Sequence, residues 1–140
     1  MLTPNGWLKG AIEVSPEGRI ASVNGANLSE AAARDSHLPL LVPGFIDTHV
    51  HGGGGRDIME GGDAAAVVAR EHARHGTTAL VATTMTAPIA DIDAAFNAVA
   101  PVCRAPRGNG ARVLGVHLEG PYLNPGKLGA QPDFAKPLSM

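Results

Sequence analysis

"LLVPGFIDTHVHGGGGRD", residues 40–57, runs from an apolar stretch through two histidines one residue apart into four glycines. Its first half, Leu40 to His49, decides the fold. An apolar run that turns polar at its end is the pattern of a strand buried on both faces, carrying its chemistry at the C-terminal end. Downstream, Asp63 can cap a helix through about His75, with Val67, Val68, Glu71 and His72 at helical spacing and Gly76 placed to stop it. "TTALVATTMT", Thr77 to Thr86, is rich in β-branched residues and reads as a second buried strand. Ile92, Ala95, Phe96 and Val99 recur at i, i+3, i+4 and i+7, the stripe of a helix packing one face on a sheet. "RVLGVHL", Arg112 to Leu118, is the third strand.

The order β-α-β-α-β, with helical connections long enough to return each strand parallel to the last, means α/β architecture, either an open sheet or a barrel. A complete (β/α)8 barrel takes about 200 residues or more. This chain of 140 residues supplies three of its strands, so it is either a small open sheet or a part of something larger. Upstream, "GWLKGAIEVSPEGRIASVN", residues 6–24, places β-favouring runs on either side of Pro16-Glu17-Gly18 and predicts a small β-hairpin. Leu28 to His37 is alanine-rich with polar ends, and periodicity leaves helix and loop both open.

Bulk properties narrow the partners. Eleven basic against 13 acidic residues give a formal net charge of -2 with no run of like charges, which argues against a nucleic-acid or membrane surface and for a small-molecule partner. One cysteine, Cys103, allows no intramolecular disulfide and points to a reducing compartment, the cytoplasm. No stretch reaches the roughly 18 to 20 apolar residues of a membrane helix, and the N-terminus has no leader pattern.

Because side chains alternate across a strand, His49 and His51 point to one side, where two imidazoles can share a metal ion. A bare H-x-H pattern is short and frequent, and taken alone is as readily a coincidence. His117 and Glu119, also two apart, end the third strand, and in a parallel sheet the C-terminal strand ends lie together. Three or four ligands would then converge on one mouth. The run Gly52 to Gly55 fits neither the P-loop nor G-x-G-x-x-G, so it is read as a turn that leaves room beside the metal. Arg56 is a candidate for an anionic substrate, a solvated arginine being the plainer reading.

At this point a family emerges. "LVPGFIDTHVHGGGG", residues 41–55, resembles the first-strand signature of the amidohydrolase superfamily, and "HLEGPYLNPGKLGAQ", residues 117–131, resembles the narrower signature of the N-acetylglucosamine-6-phosphate deacetylases. The resemblance implies a (β/α)8 TIM-type barrel, of which residues 39–140 are the first three strands, preceded by part of a small β-domain at residues 1–38. It implies Glu119 as the metal-ligating carboxylate, with His49 and His51 as the pair that can hold a metal, one or two ions of zinc, iron or another divalent metal. Ala130 and Gln131 fall where the family contacts its sugar; many members carry histidine in place of Gln131. The implied reaction is metal-assisted hydrolysis of the acetamide of N-acetylglucosamine 6-phosphate, a small amino-sugar phosphate, to glucosamine 6-phosphate and acetate.

The family's catalytic aspartate is expected beyond Met140, so the chain is read as an N-terminal piece, inactive alone, of a homo-oligomeric parent. Two alternatives stand beside it. A related cyclic-amide hydrolase would carry a lysine where Glu119 stands, and a non-catalytic fragment would fold without turning over.

Overall fold

Short-range turn chemistry and long-range parallel pairing build two different units. The computed structural model describes residues 1–105 and 108–138, and their contacts divide the chain into Met1–Pro43 and Gly44–Met140. That division falls beyond the 38/39 boundary expected from the sequence. The Leu2 N–H donates to the Leu41 carbonyl at 2.8 Å, which ties the segment after Leu38 to the first unit.

In the first unit, β1 (Leu2–Thr3) and β2 (Gly6–Val14) pair antiparallel, and β2 pairs with β3 (Ile20–Leu28) across the expected turn. Gly18, at φ 73°, closes that turn through its N–H to the Ser15 carbonyl at 2.9 Å. The undecided stretch forms a short helix, α1 (Glu30–Arg34). Its start is capped by Ser29, whose hydroxyl accepts from the Ala32 N–H, and Ala33 is its buried residue.

The second unit begins with β4 (Phe45–Val50), shorter than the apolar run that predicted it. Pro43 has no N–H to offer a ladder, so pairing starts only where the Phe45 N–H reaches the Gly76 carbonyl at 3.1 Å. The tetraglycine run is a tight hairpin in which β5 (Gly52–Gly53) pairs with β6 (Arg56–Asp57). Gly54 and Gly55 occupy its two central positions at φ 61° and 78°, the double positive-φ turn that matches strand twist. A single 3-10 turn, Ile58–Glu60, follows, with the Asp57 carboxylate accepting from Met59 N–H and Glu60 returning a bond to the Asp57 N–H.

α2 (Ala64–Ala73) then buries Ala64, Ala65, Val68 and Ala69, a narrower and smaller-residued face than the Val67–His72 spacing suggested. These alanines let the helix lie close: the Ala111 N–H reaches the Ala69 carbonyl at 2.9 Å. β7 (Thr77–Thr83), α3 (Ile89–Arg104) and β8 (Arg112–His117) complete the unit, and the strands assemble in the order β4-β7-β8, all parallel. The expected α/β order is what forms. Of the α3 stripe, Ile92, Ala95 and Val99 are buried, whereas Phe96 remains 37% exposed at the margin of the contact.

Val50, Ile58, Val68, Leu80, Val99 and Val113 form the centre of the core beneath α2 and α3. Leu80 on the middle strand is fully buried, and Leu114 on β8 is 48% exposed. Truncating a buried leucine to alanine costs about 2–5 kcal/mol through lost transfer energy and the cavity left behind. Leu80→Ala is therefore expected to lower the urea midpoint strongly and Leu114→Ala much less; equal losses would contradict this placement of the core.

Candidate metal centre

Parallel pairing brings the strand ends level. On β7 and β8, Thr83 lies opposite His117, and on the other side Val50 lies opposite Ala82. His49 near the end of β4, His51 just beyond it and Glu119 just beyond β8 therefore face one another. His49 Nε2 and His51 Nε2 are 3.0 Å apart, and each is 3.1 Å from Glu119 Oε2. Ligand atoms around a tetrahedral zinc with bonds of about 2.0 Å lie about 3.3 Å from one another, so this small triangle matches the footprint of three ligands on one divalent ion.

The local chemistry agrees with the distances. Glu119 Oε2 is buried, and although both imidazole nitrogens are at ion-pair distance, neither is aligned to give it a hydrogen bond. A buried carboxylate oxygen without a donor is costly, and a cation resolves that cost. His51 Nδ1 lies 3.2 Å from the Thr83 carbonyl. A carbonyl only accepts, so Nδ1 carries the proton and donates, and in the neutral ring Nε2 is left with its lone pair toward the triangle. Two imidazole nitrogens and one carboxylate oxygen form the donor set of a zinc- or iron-type site that keeps further coordination positions open.

Around the triangle, the backbone is held from several sides. The Asp47 carboxylate accepts from the His49 N–H at 3.1 Å. His72 on α2 donates from Nε2 to the Gly52 carbonyl at 3.1 Å, and its other face looks toward Asp47 at 4.0 Å. The Val50 N–H donates to Thr83 Oγ1 at 2.9 Å and the Glu119 N–H to Thr84 Oγ1 at 3.2 Å. Sequence reading missed His72, Thr83 and Thr84; a threonine pair at the end of a buried strand was the available signal.

The other candidate residues take different places. His117 stacks edge-on against His49, ring centroids 4.9 Å apart, and stands outside the triangle. The glycine hairpin does not hold space open beside the triangle as expected; it is pressed against α2. A Cβ on Gly53 would come within 3.0 Å of the His72 ring and one on Gly54 within 3.3 Å of Val67. Arg56, still a third exposed, turns to Glu60 and Asp63, with 2.7 Å to Asp63, so its guanidinium is already paired with carboxylates. For the same reason Asp63 sits at the start of α2 without capping it through its side chain. Hydrogen bonding to Arg56 holds both carboxyls below their ordinary range. Lowered carboxyl pKa values mean stability that is present above the unfolded-state values and is lost as pH falls through the folded ones.

Ala130 is exposed in the loop after the 3-10 turn Pro125–Lys127, and Gln131 is half-buried. The Gln131 carboxamide is already engaged: its oxygen accepts from the Thr86 N–H at 2.7 Å and its nitrogen lies 3.5 Å from Met85 Sδ. Gln131 thereby fastens the loop 120–131 to the end of β7. Gln131→Leu would leave a buried N–H without an acceptor, a loss of about 1–3 kcal/mol. That variant should show faster limited proteolysis between residues 122 and 130, and unchanged cleavage would contradict the fastening.

Comparison with known proteins places these features. A model of the amidohydrolase family matches residues 40–133. The N-acetylgalactosamine-6-phosphate deacetylase of Escherichia coli O157:H7 is 41% identical over 133 residues, covering 94% of this chain and 34% of its own length. The N-acetylglucosamine-6-phosphate deacetylase of Vibrio furnissii is 46% identical over 93 residues, 66% of this chain and 23% of its own. Among solved structures, the N-acetylglucosamine-6-phosphate deacetylase from Thermotoga maritima aligns with a TM-score of 0.76 at 28% identity, over 97% of this chain and 34% of that one. A mutant of the Mycobacterium smegmatis deacetylase, solved in complex with N-acetyl-D-glucosamine-6-phosphate, aligns with a TM-score of 0.61 at 36% identity, over 70% of this chain and 25% of that one. The chain spans about a third or less of the length of these relatives.

Proposed function

The chain belongs to the amidohydrolase family, a family of metal-dependent enzymes, and from that premise we propose that it carries the first metal ligands of a deacetylase acting on N-acetylglucosamine 6-phosphate. The observation that carries the reading is the His49–His51–Glu119 triangle with its buried, donorless carboxylate oxygen. In this reading β4, β7 and β8 are the first three strands of a (β/α)8 barrel, whose sites form at the C-terminal strand ends.

A divalent ion held there, zinc by its nitrogen-rich donor set, supplies polarisation of the acetamide carbonyl and a lowered pKa for a water molecule. The chain's own residues prepare that chemistry. Thr83 keeps the His51 tautomer with its Nε2 lone pair outward. Glu119 brings one negative charge, which offsets half of the charge of a divalent ion. Hydrolysis adds water to the amide carbon and breaks its bond to nitrogen; acetate leaves, and the amine takes a proton. That proton transfer needs a general acid. Among the described residues the metal-ligating cluster holds one carboxylate, Glu119, which is committed as ligand. A separate acid, the family's aspartate, completes the site. Ala130, presented by the loop that Gln131 fastens, lies on the sugar side together with Gln131 itself.

A second reading concerns the sugar. The Escherichia coli O157:H7 relative is named for N-acetylgalactosamine 6-phosphate and matches 94% of this chain. The two substrates differ only at one ring carbon, remote from the acetamide, so the same triangle serves either.

A chimera in which this chain replaces the matching third of the Vibrio furnissii enzyme, loaded with zinc, is expected to release acetate from N-acetylglucosamine 6-phosphate. Glu119→Gln in the chimera should bind zinc roughly 10–100-fold more weakly or worse and lose most turnover. The 140-residue chain alone is expected to bind zinc and release no acetate. Full activity in the Gln variant would sink the proposal, and faster turnover of the galactosamine epimer would favour the second reading.

A further inference from the structure

Adjacent residues of a strand face opposite ways, and the last residue of β7 and its successor are both threonines with fully buried side chains. Each hydroxyl reaches a different neighbouring strand. Thr83 Oγ1 accepts the N–H of Val50, the residue between His49 and His51, at 2.9 Å. Thr84 Oγ1 accepts the N–H of Glu119, the third member of the triangle, at 3.2 Å.

In an uninterrupted parallel ladder those two N–H groups would bond to β7 carbonyls. Here the ladder is broken on both sides. On β4, the register shifts between Asp47, opposite Leu80, and Val50, opposite Ala82, so three steps along one strand meet two along the other. On β8, pairing ends at His117, whose carbonyl takes the Thr84 N–H at 3.1 Å, and Glu119 lies beyond it. The shift in β4 and the end of pairing on β8 lie where the H-x-H segment and Glu119 converge, and there the two hydroxyls accept the Val50 and Glu119 N–H groups. They are fully used: Thr83 Oγ1 lies 3.4 Å from the Val81 carbonyl and Thr84 Oγ1 3.5 Å from that of His117, where each can donate its own proton. Thr83 acts twice, since its carbonyl also accepts from His51 Nδ1 at 3.2 Å.

We propose that Thr83 and Thr84 are positioning residues for the metal ligands, a pair of buried hydroxyls that sets the spacing between the H-x-H segment and Glu119. The proposal rests on the metal-binding reading of the triangle. Valine has the shape and β-branching of threonine, so it keeps the packing and the strand while removing the acceptor; serine keeps the acceptor.

The test uses cobalt(II) as a spectroscopic probe on the 140-residue chain and its Thr83→Val, Thr84→Val, Thr83→Ser and Thr84→Ser variants. The valine variants are expected to bind cobalt roughly 10–100-fold more weakly, the size of effect seen when groups that orient ligands are removed, with an altered visible spectrum. The serine variants are expected to restore both. Valine variants that melt earlier yet bind cobalt with unchanged affinity and spectrum would show a role in sheet stability alone and overturn the inference. A wild-type chain that binds no cobalt overturns the metal reading itself, and the clamp with it. Should the valine variants fail to fold, amide hydrogen exchange of the unaltered chain decides: protected Val50 and Glu119 amides support the clamp, and exchange as fast as in exposed loops refutes it.

Discussion

Parallel pairing of β4, β7 and β8 is the constraint on which the rest depends. Parallel strands need crossovers long enough to return the chain, which is why α2 and α3 exist, and both bury their apolar faces in the one core cluster they share with the strands. The same pairing sets the strand ends level. A one-residue slip of β4 would carry His49 and His51 to the opposite face of the sheet, so the site inherits its geometry from the core beneath it. Leu80, Val68 and Val99 are thus part of the explanation for a triangle of ligands that none of them touches.

Release from the sheet matters as much as pairing within it. Regular ladders hold backbones at a fixed spacing, whereas three side-chain atoms about 3 Å apart need main chains that bend toward one another at their ends. The register shift in β4 and the end of β8 at His117 provide that bend. Near these departures side chains accept backbone N–H groups: the threonine hydroxyls those of Val50 and Glu119, and the Asp47 carboxylate that of His49, while the Gln131 carboxamide takes the Thr86 N–H beyond β7.

What was legible in the sequence follows from which rules are backbone rules. Alternation along a strand and the common end of a parallel sheet are geometric, so His49, His51 and Glu119 could be brought together from spacing alone. The hairpin around Gly18 and the stop at Gly76 were equally local. Side-chain pairings across the fold were not. Asp63 looked like a helix cap until Arg56, seven residues earlier, claimed its carboxylate. The glycines looked like room for a ligand, and helix α2 fills that room with His72 and Val67. Phe96 kept the helical spacing of its neighbours while lying at the edge of the contact, because spacing gives a face but not its width. The hydrogen bonds of Gln131 to Thr86 and Met85, just beyond β7, had no signal in spacing either.

The chemistry rests on one buried carboxylate oxygen that lacks a donor beside two imidazoles whose lone pairs can be turned toward it. In the amidohydrolase family such an arrangement holds a metal for hydrolysis, and the central claim is that it does so here. A crystal structure of the zinc-loaded chain, with zinc located by anomalous scattering, tests this most directly. One anomalous peak is expected within about 2.0–2.2 Å of His49 Nε2, His51 Nε2 and a Glu119 oxygen. A peak bound elsewhere, or a Glu119 carboxylate turned away from both histidines with no metal between them, would contradict it.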